Sequence, residues 1–253
     1  MLESIRHDAT LELKLARPPV NALDPRLVAA LREAVTAAPA QGARAIVMSG
    51  QPGLFSAGLD VPHLLTLDRA AMIAFWGELF GLLRAIARSP IPTVAAITGH
   101  SPAGGAVLAI FCDYRVMARG AFRIGLNEVQ VGLAVPDPIQ AGLRRLVGTH
   151  RAERLMVAGA MVDTEEALRI GFVDEAAEPG DVVPRALEWC RSLLAFPHEA
   201  MSATRRSARA DLHAVFDRGD AGEEFADFWF ADEAQATLKA LVAKLKARSA
   251  AAA

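Results

Sequence analysis

Apolar positions along this chain follow two rhythms. In Thr10–Leu15 they alternate, with Leu11, Leu13 and Leu15 on one face, which predicts a strand. Ala45–Ser49 (AIVMS), Thr93–Ile97 (TVAAI) and residues 113–117 (DYRVM) are short and β-rich, and predict buried strands. A further strand is expected to start at 172–174. Elsewhere apolar residues recur at three- and four-residue spacings. Leu27, Val28, Leu31 and Val35 follow Asp24-Pro25, an N-cap and a proline at the first helical position. Met72, Phe75, Leu79, Leu82, Leu83 and Ile86 mark a long helix over 68–88, stopped by Pro90 and Pro92. Residues 106–112 read as a buried helix. Val135-Pro136-Asp137-Pro138 opens a helix that ends at Gly148, and 151–157 forms another. Thr164 is read as the N-cap of a short helix with Glu165 and Glu166 in its first turn and Gly171 beyond its end.

Near residue 181 the strand signals stop and the pattern becomes Ala-rich and helical. This predicts an α/β body over residues 1–195 and a helical region over 196–253, parted at Phe196-Pro197, with 249–253 frayed. Short strands recurring before helices predict stacked βα or ββα units.

Composition narrows the class without naming a chemistry. The 253 residues are 53% apolar and 22% charged, ordinary for a globular protein. A net charge of −2 points to no nucleic-acid or membrane partner. The apolar runs look too short and interrupted to span a bilayer. The first fifteen residues lack a secretory apolar region, so a cytoplasmic location is the default expectation. Cys112 and Cys190 are read as buried thiols, and the six histidines show no metal-ligand spacing, so no metal site is expected.

The chemistry concentrates in two glycine bends, each after a short buried strand. One is Ala57-Gly58-Leu59-Asp60. The other, Ala103-Gly104-Gly105, leads into the buried helix, and its glycines are read as permitting positive φ and close approach of a ligand. Each bend offers a backbone N–H, from Leu59 and Gly104, and two such donors aimed at one oxygen make an oxyanion hole. A proton-transfer group is then required. Glu128, in IGLNEVQVGLAVP, has apolar or neutral neighbours from Ile124 to Pro136, surroundings that raise a carboxyl pKa and make it a usable base. Asp60 and Asp113 read as capping or structural residues, and His63 as exposed. Gly99-His100-Ser101-Pro102-Ala103 is close to the G-x-S-x-G nucleophile elbow, so hydrolysis through Ser101 is an alternative. Pro102, however, lacks the N–H that elbow uses. A third reading is a binding protein without turnover, in which Glu128 only caps a turn.

Phe55-Ser56-Ala57-Gly58-Leu59-Asp60 and Gly99-His100-Ser101-Pro102-Ala103-Gly104-Gly105, with 45 residues between Gly58 and Gly104, together resemble the crotonase (enoyl-CoA hydratase/isomerase) superfamily. CDYRV at 112–116, IGLNEVQVGL at 124–133 and the stretch 148–175 extend the resemblance over nearly the whole chain. It implies a spiral of ββα units with a helical C-terminal trimerisation region, an acyl-CoA substrate, no cofactor apart from the coenzyme A of the substrate, and a homotrimer or hexamer. It implies Leu59 and Gly104 as oxyanion donors and Glu128 as catalytic carboxylate. The implied substrate pocket includes Ser56, Ala57, Gly58, Asp60 and Val61 at the first bend. At the second it includes His100, Pro102, Gly105 and Val107, with Pro136 beyond Glu128. Hydratases of the superfamily carry a second glutamate where this chain has Val107, and valine can neither activate water nor move a proton. The SPAGG bend, Val107 and the GLNE run look most like mitochondrial-type Δ3,Δ2-enoyl-CoA isomerases, which need one base for a 1,3-proton shift. Phe225, Phe228, Trp229 and Phe230 are read as tail packing, acyl pocket or trimer interface. Lys239, Lys244 and Lys246 are read as a solvated face or a contact for coenzyme A phosphates.

Overall fold

The computed structural model describes residues 1–217 and 222–251. An antiparallel hairpin of β1 (Leu2–His7) and β2 (Thr10–Leu15) precedes α1 (Pro25–Ala37). The chain then repeats one plan. A first turn comprises β3 (Ala45–Ser49), β4 (Gly53–Leu54), α2 (Val61–Leu64) and α3 (Arg69–Ala87). A second comprises β5 (Thr93–Ile97), β6 (Gly99–Pro102) and α4 (Gly104–Ile110). A third comprises β7 (Tyr114–Ala118), β8 (Arg123–Gly125), a 3-10 turn at Glu128–Val131, α5 (Asp137–Val147) and α6 (Thr149–Val157). The body closes with β9 (Met161–Asp163), α7 (Thr164–Arg169), β10 (Glu175–Ala177) and α8 (Val182–Leu194). α9 (His198–Ala208), α10 (Ala210–Val215), α11 (Gly222–Phe230) and α12 (Asp232–Ala251) follow.

In each turn the first strand joins a six-stranded sheet, ordered β1-β2-β3-β5-β7-β10. The second strand joins a four-stranded sheet, ordered β4-β6-β8-β9. All pairs are parallel except β1-β2 and β8-β9. The chain is therefore a coil of ββα turns that advances by one strand spacing, about 4.8 Å, per turn. The expected ββα spiral is the observed architecture.

The large sheet explains the unbroken apolar runs. Ile46, Met48, Ala95, Ile97 and Met117 face the main core with α1, α3 and α4. Val47, Val94, Ala96 and Val116 face Val182, Ala186 and Cys190 of α8. A parallel sheet covered on both faces needs apolar residues at every position. Helix starts follow the sequence signals: Asp24 Oδ1 accepts from Leu27 N at 2.8 Å, and Asp68 Oδ1 accepts from Ala71 N at 2.8 Å.

Some expectations change. β1 was not foreseen, because its middle four residues are exposed and it is held at the sheet edge by backbone pairing. α7 is capped by Asp163, whose Oδ1 accepts from Glu166 N at 2.9 Å. Thr164 is buried and instead donates to Ala118 O at 2.8 Å. The strand expected from 172–174 starts at Glu175, because Phe172 and Val173 turn into the core. By length and composition α3 is apolar enough for a membrane span, contrary to expectation. Its apolar residues are taken up by packing against α1 and α11.

Of the four tail aromatics, Phe225 and Trp229 pack on their own chain, against Trp76 of α3 at ring-centroid distances of 5.7 and 6.4 Å. Phe228 is exposed, and the Arg69 guanidinium lies over Phe230. α12 packs on the 3-10 turn and on α2. The end expected to fray is helical through Ala251, while Ala252 and Ala253 lie outside the described residues. Cys112 and Cys190 are buried free thiols, each pushed up to about 12 by burial.

Candidate active site

The first bend is built against residues 17–24. Ser56 Oγ donates to Asn21 O at 2.7 Å and accepts from Gly58 N at 3.2 Å. Asn21 Nδ2 donates to Phe55 O at 3.1 Å, and Ala57 N donates to Val20 O at 3.0 Å. Leu23 N donates to Gly58 O at 2.8 Å, and Asp60 N donates to Leu23 O at 3.0 Å. Gly58 O and Leu59 N–H belong to one planar trans peptide, so an oxygen pinned on Leu23 turns that N–H the opposite way. Among the described residues the Leu59 N–H has no acceptor. Val61 begins α2, and Asp60 caps it through His63 N at 3.1 Å. His63 is exposed.

The second bend corrects the expectation of positive φ at the glycines. Gly104 and Gly105 are the first residues of α4, and the left-handed residue is Ala103, at φ 44. Its peptide is held by Ala103 N donating to Gly125 O at 2.8 Å and Val107 N donating to Ala103 O at 2.9 Å. The glycines are required by close approach. A Cβ on Gly104 would lie 3.2 Å from Gly58 Cα, and one on Gly105 would lie 2.9 Å from Ser56 O. As the first residue of a helix, Gly104 has an N–H with no intrahelical partner, and no acceptor for it exists among the described residues.

The two bends are neighbours because of strand register. β4 and β6 pair Gly53 with Gly99 and Leu54 with His100, an offset of 46 residues, and Gly58 and Gly104 meet at that same offset. A Cβ on Gly58 would lie only 3.2 Å from Gly104 N. Gly58 itself has φ +87, so the only residue suited to this backbone is also the one that keeps Gly104 N accessible. Two free amides on touching bends can serve one oxygen.

Glu128 opens the 3-10 turn three residues beyond Gly125, the partner of Ala103, a span of at most about 11 Å. Its Oε2 is sealed from solvent and has no partner among the described residues. Burial pushes the carboxyl up to about 7, with its own backbone N–H opposing. The neighbouring Asn127 Oδ1 is likewise sealed and unpartnered. Val107 is buried one helical turn after Gly104, where a carboxylate is absent. Pro136 is buried, and its carbonyl accepts from Ile139 N and Gln140 N at 2.9 Å, starting α5.

The remaining candidates separate. Ser101 is fully buried, and among the described residues its Oγ has no partner and so no base beside it. His100 lies on the exposed face of β6, its ring edge-on to Phe122 and its Nδ1 accepting from Arg123 N at 3.2 Å. Lys239, Lys244 and Lys246 are exposed on α12. Asp113 is structural, paired with Arg205 and Arg209. Among the described residues no cluster of His, Cys, Asp and Glu could hold a metal. Arg17 and Asn21, which belong to no motif, also hold the first bend. The signal was a pair of polar residues flanking Pro18-Pro19-Val20, directly before a helix start.

A family model described as enoyl-CoA hydratase/isomerase matches residues 6–247. A probable enoyl-CoA hydratase, echA17, of Mycobacterium avium is 36% identical over 215 residues, 83% of this chain and 80% of that one. Human mitochondrial enoyl-CoA delta isomerase 1 is 32% identical over 241 residues, 92% of this chain and 79% of that one. A crystal structure of human mitochondrial Δ3-Δ2-enoyl-CoA isomerase superposes with a TM-score of 0.92 at 28% identity, covering 98% of both chains. A coil of ββα turns with two open amides at one corner, matched over this length, makes the chain an enzyme of the enoyl-CoA hydratase/isomerase family.

Proposed function

We propose that the enzyme isomerises 3-enoyl-CoA thioesters to trans-2-enoyl-CoA. The reading is carried by one observation: a single isolated, desolvated carboxyl near the bends, with valine one turn along α4 from the donor Gly104. Glu128 takes a proton from C2, which lies beside the thioester carbonyl and is acidified by it. The C2–H pair becomes the C1–C2 π bond of a dienolate as the carbonyl π pair moves onto oxygen, which receives the N–H groups of Leu59 and Gly104. The carboxylic acid so formed returns the same proton to C4. The double bond moves from C3–C4 to C2–C3, and neither water nor an oxidant enters. Backbone amides suit the task because they cannot be titrated away.

The same reading places the thioester against Ser56, Ala57, Gly58, Asp60, Val61, Pro102, Gly105 and Val107, with Pro136 and His100 further out. It also takes the assembly as a homotrimer or a pair of trimers, which sedimentation would test.

The deciding experiment follows trans-3-hexenoyl-CoA isomerisation and crotonyl-CoA hydration side by side, in wild type and Glu128→Gln. Isomerisation that falls by about 10³ or more in the variant, with little hydration in either protein, is expected. Strong wild-type hydration would overturn the one-base mechanism in favour of the hydratase activity for which the 36% identical relative is named. Ser101→Ala is expected to keep turnover, and its loss would favour hydrolytic chemistry. No turnover of either compound by wild type, with Glu128→Gln changing nothing measurable, would favour a binding protein.

A further inference from the structure

We propose that Arg17 is a positioning residue for the Leu59 amide: its guanidinium bridges the aspartates that start α1 and α2, and so fixes the direction of that N–H. The proposal rests on the oxyanion-hole reading above and adds a side chain that controls it.

Each aspartate divides its two oxygens. Asp24 gives Oδ1 to Leu27 N at 2.8 Å and Oδ2 to Arg17 Nε at 3.2 Å. Asp60 gives Oδ1 to His63 N at 3.1 Å and Oδ2 to Arg17 Nη2 at 2.5 Å. Arg17 Nη1 donates to Ala22 O at 3.1 Å. All three guanidinium nitrogens are therefore engaged, and their acceptors flank Leu23 on one side and follow Leu59 on the other. Leu23 is the residue that grips the Leu59 peptide, through Gly58 O before it and Asp60 N after it. The guanidinium thus ties together the two strands of backbone whose pairing sets the N–H direction. A planar fork can hold acceptors on separate segments in one geometry, whereas an ammonium is a compact point charge that reaches fewer of them. The three side chains are 24%, 9% and 14% exposed, so the contacts are only partly screened by water. With each of its nitrogens on an acceptor beside Leu23 or Leu59, Arg17 is placed to act through the Leu59 peptide.

The test reads the polarisation of a bound carbonyl, which a purely structural role would not alter. Difference infrared spectra of butanoyl-CoA bound to wild type should show the thioester stretch moved to lower frequency. In Arg17→Met that displacement should at least halve. Loss of a whole oxyanion donor costs about 10²–10³ in kcat, so a misdirected one should cost about 10–100-fold, with KM changed by less than about threefold. Arg17→Lys should fall between the two. An Arg17→Met protein with wild-type carbonyl displacement and kcat, and only a lower Tm, overturns the proposal while leaving the oxyanion hole intact. A wild type that leaves the carbonyl band unmoved overturns the oxyanion-hole reading and the proposal with it. Should Arg17→Met not fold, Asp60→Asn keeps an acceptor for His63 and removes the charge that holds Nη2. It carries the same expectation, and wild-type behaviour in it overturns the proposal.

Discussion

At Glu128 burial acts on activity and on stability in opposite directions. The carboxyl must be ionised to accept a proton, and burial holds its pKa up to about 7. The kcat/KM profile is therefore expected to rise with pH through about 7 and to be low at pH 5, a titration measured on the free enzyme. For stability the sign reverses. Between the ordinary carboxyl value of 4.5 and about 7 the folded protein keeps a proton that the unfolded chain releases. The associated stability is fully present below 4.5 and is lost as pH rises through about 7, in all about 3 kcal/mol. Glu128→Gln is thus expected to melt above wild type at pH 8, by a margin that shrinks towards pH 5. Gly58 gives a second expectation at this scale. Gly58→Ala puts a methyl 3.2 Å from Gly104 N on a backbone at φ +87. A kcat loss of about 10²-fold, with a stability cost of about 1 kcal/mol or more, should appear in kinetics and urea melts. Glu128 was legible in the sequence because a lone acid in a long neutral stretch signals desolvation. The left-handed residue was misplaced onto the glycines, because local composition does not reveal that Gly104 and Gly105 are needed for the space beside Gly58 and Ser56.

Among the elements, α9 and α10 meet the coil at several polar contacts, and two of their arginines converge on one acid. Asp113, at the start of β7, accepts from Arg205 Nε and Nη2 and from Arg209 Nη1 at 2.7, 2.8 and 2.7 Å, and also receives Thr93 N. Burial alone would raise this carboxyl, but Arg209, Arg205 and the Thr93 amide outweigh it and hold it below its ordinary value. Its contribution is present above that ordinary value and is lost as pH falls through the lowered one. Asp113→Ala leaves two guanidinium groups facing each other without their acid and is expected to cost about 3–5 kcal/mol in urea unfolding. α12 bears on the turn that carries Glu128. A Cβ on Gly132, at φ +76, would lie 2.9 Å from Ala234 Cα. Gly132→Ala should lift α12 from the 3-10 turn, admit water to Glu128, and move the kcat/KM midpoint from about 7 towards 4.5. A pH–rate profile of the variant checks this. Helices with caps and a clear stripe, such as α1 and α3, were readable in advance. β1, β4 and β6 were not, because a short or exposed strand carries no burial pattern and exists through pairing with a distant neighbour.

Across the molecule, repetition of short strands before helices predicted stacked βα or ββα units and the family resemblance implied their spiral, while the division into two sheets became visible only in three dimensions. The sequence does not state that Thr98 separates two strands of different sheets, nor that residues 17–24 brace the first bend, since both facts depend on partners tens of residues away. The register between β4 and β6 has a consequence of another kind. The corner where the two bends meet exists because one offset, 46 residues, runs unbroken from Gly53–Gly99 to Gly58–Gly104. What the corner depends on is that Leu54 to Gly58 and His100 to Gly104 span the same number of residues. One residue inserted between Leu54 and Gly58 would leave both sheets paired and slide the first amide past the second. In a lineage of such enzymes, gaps and insertions should therefore gather after Asp60 and in the helices, and be missing from the few residues between strand and bend.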